Sequence, residues 1–165
     1  MNKLCAGIVA AVLLLPVISC APHRVDAQGN KSSIPVTPWE KVLIVNAELS
    51  LFNNGLARGV IAANNAGVLD TATTELITTE QFHIAAIKTE LDSILSQGQE
   101  ASASHADQVK NLTASISTSV TRLISSGNAG IKNKQNAAEL VAEIQGISAA
   151  ADGLVSLLKQ IGVLK

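Results

Sequence analysis

Residues 37–63, TPWEKVLIVNAELSLFNNGLARGVIAA, contain a strong fold signal. They open with Thr37-Pro38-Trp39-Glu40, whose spacing predicts a capping box. In this motif the Thr37 hydroxyl accepts a hydrogen bond from the Glu40 amide, and the Glu40 carboxylate accepts one from the Thr37 amide. Pro38 falls at the first helical position, where its missing N–H costs nothing. A helix is therefore predicted to begin at residue 38.

Apolar residues then recur at steps of three and four, which is the spacing of one face of a helix. These positions are Val42, Val45, Leu49, Phe52, Leu56, Val60 and Ala63. Gly67 is the natural C-terminal cap, so the first helix is predicted over about 38–66.

Three further helices are predicted over about 71–97, 103–126 and 133–163, with Gly98 and Gly127 closing the second and third. The inward positions of the second helix are Ile77, Ile84, Ile87, Leu91 and Ile94, and those of the third are Val109, Leu112, Ile116, Val120 and Leu123. Those of the fourth are Leu140, Ile144, Ile147, Ala151, Leu154, Leu158 and Ile161. The last set has the heptad spacing of left-handed helix packing. Residues 37–165 are thus predicted to be all-α, forming an up-down-up-down four-helix bundle.

Four glycines fall inside the predicted helices, at Gly55, Gly59, Gly146 and Gly153. Each costs about 1 kcal/mol relative to alanine in a helix interior. Two interpretations are open: the glycines are simply tolerated, or they allow two helices to approach closely.

The composition restricts the class of partner. Charged residues make up 15% of the chain, aromatic residues 2%, and the formal net charge is −1. Nucleic-acid binding requires a basic surface, which this balance does not supply. No nucleic-acid partner is therefore expected.

The N-terminus has the pattern of an export signal. Lys3 is followed by an apolar run over 4–18, which is short for a membrane-spanning helix of roughly 20 residues but suits a secretory signal. Val17-Ile18-Ser19-Cys20 follows at the end of this run. This stretch resembles the lipobox of bacterial lipoprotein precursors, although Val17 stands where leucine is commonest. The resemblance covers only the first twenty or so residues.

The lipoprotein resemblance implies a location and an anchor. Residues 1–19 would be a signal peptide that is removed, and Cys20 would carry a diacylglycerol on its sulfur and an acyl chain on its amine. The protein would then be attached to a membrane of the bacterial cell envelope. Ala21, in the enteric-type sorting rule, favours the outer membrane, on its periplasmic face or at the surface. Residues 20–36, which lack periodicity, are interpreted as a flexible tether.

Ordinary secretion is the alternative interpretation of the leader. Val25-Asp26-Ala27 places small residues where a general signal peptidase cleaves, which would release a soluble helical protein beginning at Gln28. Under the lipoprotein interpretation, Cys5 is lost with the leader and Cys20 is acylated. No thiol then remains for a disulfide, a zinc site or a nucleophile.

Glu80-Gln81-Phe82-His83 is the strongest candidate for metal chemistry. A Glu-x-x-His pair places both side chains on one helix face, as in di-metal bundles. Those sites need a second such pair, yet the predicted fourth helix contains no histidine. Glu48 and either Glu139 or Glu143 could add carboxylates, but the ligand set stays incomplete. We therefore expect a polar patch rather than a metal site.

The remaining candidates also favour a protein without catalysis. His105 and Asp107 fall at the start of the predicted third helix, where Asp107 suits the positive end of the helix dipole. There is no Gly-x-Ser-x-Gly elbow and no phosphate-binding glycine motif. We expect no enzyme activity and no cofactor.

Two functions remain after these exclusions. The first is a lipid-anchored helical bundle of the cell envelope that acts as a structural or protein-binding module, with a second copy or an envelope protein as partner. The second is a membrane-active helical protein, either a pore former or an envelope exclusion factor. No stretch after the leader is continuously apolar for 18 residues, which weighs against the second.

Overall fold

The computed structural model describes residues 23–25, 31–33, 36–130 and 138–165. The chain divides into two compact units, Met1–Val36 and Thr37–Lys165. The second unit begins at the residue where the capping box predicts the first helix.

The first unit contains two short antiparallel strands, β1 (His23–Val25) and β2 (Lys31–Ser33), with Arg24 opposite Ser32. The sequence predicted a tether without regular structure here, and the strand pair is a departure from that prediction. Strands of three residues are too short to show the alternation by which a strand is recognised. A two-stranded hairpin of this size is at best marginally stable by itself.

The second unit is helical, which confirms the all-α prediction for this part of the chain. Its helices are α1 (Pro38–Asn65), α2 (Thr71–Leu95), α3 (Gln99–Ser104), α4 (Ala106–Gly130) and α5 (Ala138–Gln160). The predicted capping box is present at the start of α1, with hydrogen bonds from the Thr37 amide to Glu40 Oε2 (2.7 Å) and from the Glu40 amide to Thr37 Oγ1 (3.1 Å).

The predicted third helix, 103–126, is wrong at both ends. The chain first forms the short helix α3, leaves helical geometry at His105, and begins α4 at Ala106. At the break the His105 amide shares its hydrogen bond between the Ala101 and Ser102 carbonyls, both at 3.2 Å, an arrangement common at helix ends.

Glycine ends a helix only where the backbone turns left-handed. Gly67 has φ +67° and Gly162 has φ +77°. Each follows a helix with paired hydrogen bonds of the Schellman type, for example from Val68 N to Ala63 O. The prediction that Gly127 closes a helix is wrong, because α4 continues to Gly130. Similarly, α5 ends at Gln160 rather than at 163, and its predicted start at 133 lies outside the described residues.

The long helices pack as a ring of neighbours. α1 packs against α2 and α5, and α4 packs against the same two helices. α1 and α2 run antiparallel, since Asn46 bonds to Asp92 near one end while Asn64 bonds to Thr74 near the other. α2 and α4 also run antiparallel, as the hydrogen bonds between Glu90 and Gln108 and between Glu80 and Arg122 show.

The core contains most of the predicted apolar stripes. Every inward position predicted for the second and third helices is buried, and all but Ile161 of the fourth set are buried too. In α1 the stripe is rotated slightly. Asn46 and Asn53 are buried, whereas Val45 and Phe52 are only partly buried against the core.

One of the helix glycines, Gly146, is needed for the close approach of α1 to α5. A Cβ atom on Gly146 would lie 2.5 Å from Cε1 and 2.7 Å from Cγ of the Phe52 ring. A Cβ atom on Gly55 would overlap only the carboxylate of Glu143, which is the end of a flexible side chain and can move aside. The interpretation that glycine allows close packing is therefore supported at Gly146.

Candidate functional site

The outer side of α1 carries large apolar side chains that face solvent. We call Leu43, Ile44, Leu51 and Ile61 the α1 outer face. Leu51 is 68% exposed and Ile61 is 62% exposed, so the bundle leaves most of their surface in water. In a chain with few charges, this makes one side of α1 a candidate surface for binding another protein.

A cluster of polar side chains lies between α2 and α4. Glu80 is buried, and its Oε1 accepts a hydrogen bond from Nη1 of Arg122 at 3.1 Å. His83 Nδ1 lies 3.1 Å from the hydroxyl of Ser119 and 3.8 Å from Glu80 Oε2. The predicted polar patch at Glu80 and His83 therefore includes two residues of α4, Ser119 and Arg122, that the sequence did not point to.

The Glu80 carboxylate is held in its charged form. Burial raises its pKa, but the nearby Ser119 hydroxyl, the hydrogen bond from Arg122 and the positive charge of Arg122 outweigh that effect. The net result is a pKa below the ordinary value of 4.5. The cluster thus contains a paired, ionised carboxylate at the helix interface.

The cluster lacks the geometry of a nucleophilic triad. In such a triad the serine and the carboxylate bond to opposite nitrogens of the histidine ring. Here Ser119 and Glu80 both face the same nitrogen of His83, Nδ1. Ser119 is also only 1% exposed, so a substrate could not reach its hydroxyl.

A metal ion does not fit this cluster either. The Arg122 guanidinium already occupies one oxygen of the Glu80 carboxylate. Glu139 is exposed and Glu143 lies against Gly55, so neither completes a ligand set with Glu80. Across the described ranges, no group of three or more His, Cys, Asp or Glu side chains is placed to hold a metal ion.

A second polar contact joins α1 to α2. Asp92 Oδ1 accepts hydrogen bonds from Asn46 Nδ2 at 2.6 Å and from the amine of Lys88, whose side chain is largely buried. Asn53 Nδ2 donates to the Gln81 carbonyl at 3.2 Å. These bonds satisfy donors at the interface and fix the relative position of the two helices.

His105 and Asp107 lie at one end of the helical unit. Both are exposed, with His105 at the break between α3 and α4 and Asp107 in the first turn of α4. They line an open groove together with Lys110 and the C-terminal residues 162–165. An acidic residue in the first turn of a helix is a common stabilising arrangement and needs no ligand.

α5 is long and apolar enough to cross a membrane by length and composition, and it alone meets that test in the part of the chain that the structure describes. Its apolar residues are interrupted by polar ones, so it contains no continuous apolar run of 18 residues. The same helix contributes seven buried residues to the core, among them Leu140, Ile147 and Leu158. Core helices of soluble bundles share this composition.

Cys20, the predicted lipid attachment residue, lies outside the described residues, as do the whole predicted signal peptide and most of the predicted tether. Comparison with known proteins adds no assignment, since no protein family, curated protein or solved structure matches this chain.

Proposed function

We propose that this protein is a lipid-anchored helical bundle of a bacterial cell envelope, attached through a diacylglycerol on Cys20. It acts as a structural or protein-binding module without catalysis. The anchor is supported by the sequence pattern at residues 1–20, and the binding role by the α1 outer face.

The proposed architecture is an up-down-up-down four-helix bundle. It is supported by the antiparallel bonds between α1 and α2 and between α2 and α4. It is also supported by the contacts of α5 with both α1 and α4. In such a bundle each helix packs against its neighbour in sequence, and the last helix closes against the first.

The observation that carries the binding role is the exposure of Leu43, Ile44, Leu51 and Ile61 on one helix. Single exposed apolar residues are common, but several on one side of one helix are typical of a binding surface. In the polar cluster, by contrast, Glu80 is buried with its Oε1 bonded to Arg122, and the Ser119 hydroxyl is buried as well.

Membrane fractionation of two cysteine variants tests the anchor. Cys20→Ala removes the proposed attachment atom and should move the protein from the membrane fraction to the soluble fraction. Cys5→Ala is the matched control, since it changes a cysteine of the apolar leader and should leave the protein in the membrane fraction. Equal membrane association of the parent and Cys20→Ala would refute the proposal.

A membrane-active role is the second candidate, and the composition of α5 favours it. Insertion of α5 into a bilayer would require the bundle to open and expose its core face. Liposomes loaded with a self-quenched dye test this directly. Dye release by the purified protein at neutral pH would support the membrane-active role, whereas intact vesicles would contradict it.

A further inference from the structure

The outer side of α1 has a regular pattern of its own. Exposed positions there alternate in steps of four and three residues, the spacing of a coiled-coil seam. They are Glu40, Ile44, Ala47, Leu51, Asn54, Arg58, Ile61 and Asn65. We call these eight positions the outer seam. α1 thus has one stripe that packs inside the helical unit and a second one suited to packing against a helix outside it.

The charges of the outer seam are placed for pairing with a reversed copy of the same helix. Glu40 and Arg58 are 18 residues apart, which is five turns at about 3.6 residues per turn, so they lie on one line. Arg58 has no ion pair or hydrogen bond within the described residues. Glu40 uses Oε2 for the Thr37 amide, which leaves its second oxygen available to a cation.

An antiparallel copy pairs both charges and matches side-chain size at the centre, and in the same register Ile44 faces the partner subunit's Asn54. When Glu40 faces the partner subunit's Arg58, the midpoint of the pair lies at the level of Leu49. Leu51 then faces the partner subunit's Ala47, so a large side chain meets a small one. Two-fold symmetry repeats each contact, which is the arrangement of an isologous dimer.

We propose that the protein forms an antiparallel homodimer through the outer seam of α1, with two Glu40–Arg58 ion pairs flanking a centre of Leu51 against Ala47. A second copy is favoured over an unrelated partner because Glu40 and Arg58 match their own reversed image in charge, and Leu51 meets the small Ala47 at the centre. This inference specifies the partner within the proposed binding role, and it does not depend on the lipid anchor.

Light scattering of the full chain in mild detergent, with the detergent mass subtracted, tests the dimer. The parent should have the mass of two chains. Leu51→Glu should raise the dissociation constant at least about tenfold, because it places a charge at the centre of the interface. Phe82→Glu is the matched control, since Phe82 is 65% exposed but lies on α2, and it should leave the dimer intact.

A charge exchange tests the register. Arg58→Glu should weaken the dimer by placing two like charges opposite each other, and Glu40→Lys combined with Arg58→Glu should restore it. Circular dichroism of each variant shows that a loss of dimer is not a loss of fold.

A monomeric parent would overturn the inference, as would equal effects of Leu51→Glu and Phe82→Glu. A double exchange that keeps the helical content of the parent but does not restore association would overturn it too. These results are separate from the anchor test. If the protein is a monomer that still requires Cys20 for membrane association, only the interface is refuted. If it is a dimer that associates with membranes without Cys20, only the anchor is refuted.

Discussion

At the scale of single residues, two glycines of α5 differ in what surrounds them. A Cβ atom on Gly146 would overlap the Phe52 ring, whereas one on Gly153 would lie 3.6 Å from Val45 Cγ1, an ordinary contact distance. Glycine is thus needed at one position and only tolerated at the other.

Gly146→Ala should therefore lower the free energy of unfolding by about 1–3 kcal/mol, since the overlap exceeds the gain in helix propensity. Gly153→Ala should raise it by up to about 1 kcal/mol, because alanine is the better helix former and nothing must move. Urea unfolding followed by circular dichroism measures both. Equal effects of the two substitutions would show that the helices do not approach as described.

The paired carboxylate of Glu80 makes stability depend on pH. Its pKa is lower in the folded state than the ordinary value of 4.5, so the unfolded chain binds more protons in this range and stability rises with pH. The contribution of Glu80 to the free energy of unfolding is fully present above about pH 4.5. It is lost as the pH falls through the pKa that Glu80 has in the folded state.

Glu80→Gln should accordingly lower the free energy of unfolding by about 1–2 kcal/mol at pH 7, because it removes a charge-assisted pair with Arg122. The difference between parent and variant should shrink as the pH falls below 4.5. Unfolding curves at pH 7, 5 and about 3.5 measure it. Glu75→Gln, an exposed change on the same helix, should have an effect within about 0.5 kcal/mol. A difference for Glu80→Gln that stays constant with pH would contradict the pairing.

At the scale of elements, the ends of the helices were predictable where a side chain or a glycine satisfies free backbone groups. The Thr37 capping box and the Gly67 turn are examples, because each depends on residues adjacent in sequence. The break at His105 and the continuation past Gly127 were not predictable in the same way. Serine and threonine hydroxyls bond back to carbonyls both at the break and inside unbroken α4, and Gly127 stays helical where Gly67 ends a helix. Local sequence does not distinguish these outcomes.

The α1 cap can be tested by replacing threonine with alanine at the cap and, as a control, at a second position within a helix. Thr37→Ala should lower the free energy of unfolding by about 1 kcal/mol, because the Glu40 amide loses its acceptor. Thr121 is exposed in the middle of α4, and its hydroxyl bonds back to the Ser117 carbonyl. Thr121→Ala should raise the free energy of unfolding by a few tenths of a kcal/mol, because alanine is the better helix former. Thermal unfolding of the two variants measures the contrast. If both lose stability equally, the cap is not the cause.

In the candidate sites too, residues close together in sequence were predictable, whereas contacts between helices were not. Glu80 and His83 were found by sequence because they are three residues apart on one helix. Ser119 and Arg122 were not, since their contacts with Glu80 and His83 depend on how α4 packs on α2. The outer seam of α1 has a readable spacing, but only burial shows which of two apolar stripes on a helix is left exposed.

At the scale of the whole molecule, α1 has two roles: one of its stripes stabilises the core, and the other is proposed to bind a partner. The inner stripe packs in the core of the helical unit, and the outer seam is available to a partner. In the proposed antiparallel dimer the two tethers leave from opposite ends of the paired helices. Both proposed anchors would then reach one membrane with the paired helices lying along its surface, and shared anchors strengthen attachment.

Intact-mass analysis of the mature protein tests the proposed lipid anchor on Cys20. The mature chain should begin at Cys20 and carry the added mass of a diacylglycerol, with a further acyl chain on the amine. A chain beginning at Gln28, or one beginning at Cys20 without added acyl mass, would contradict the claim.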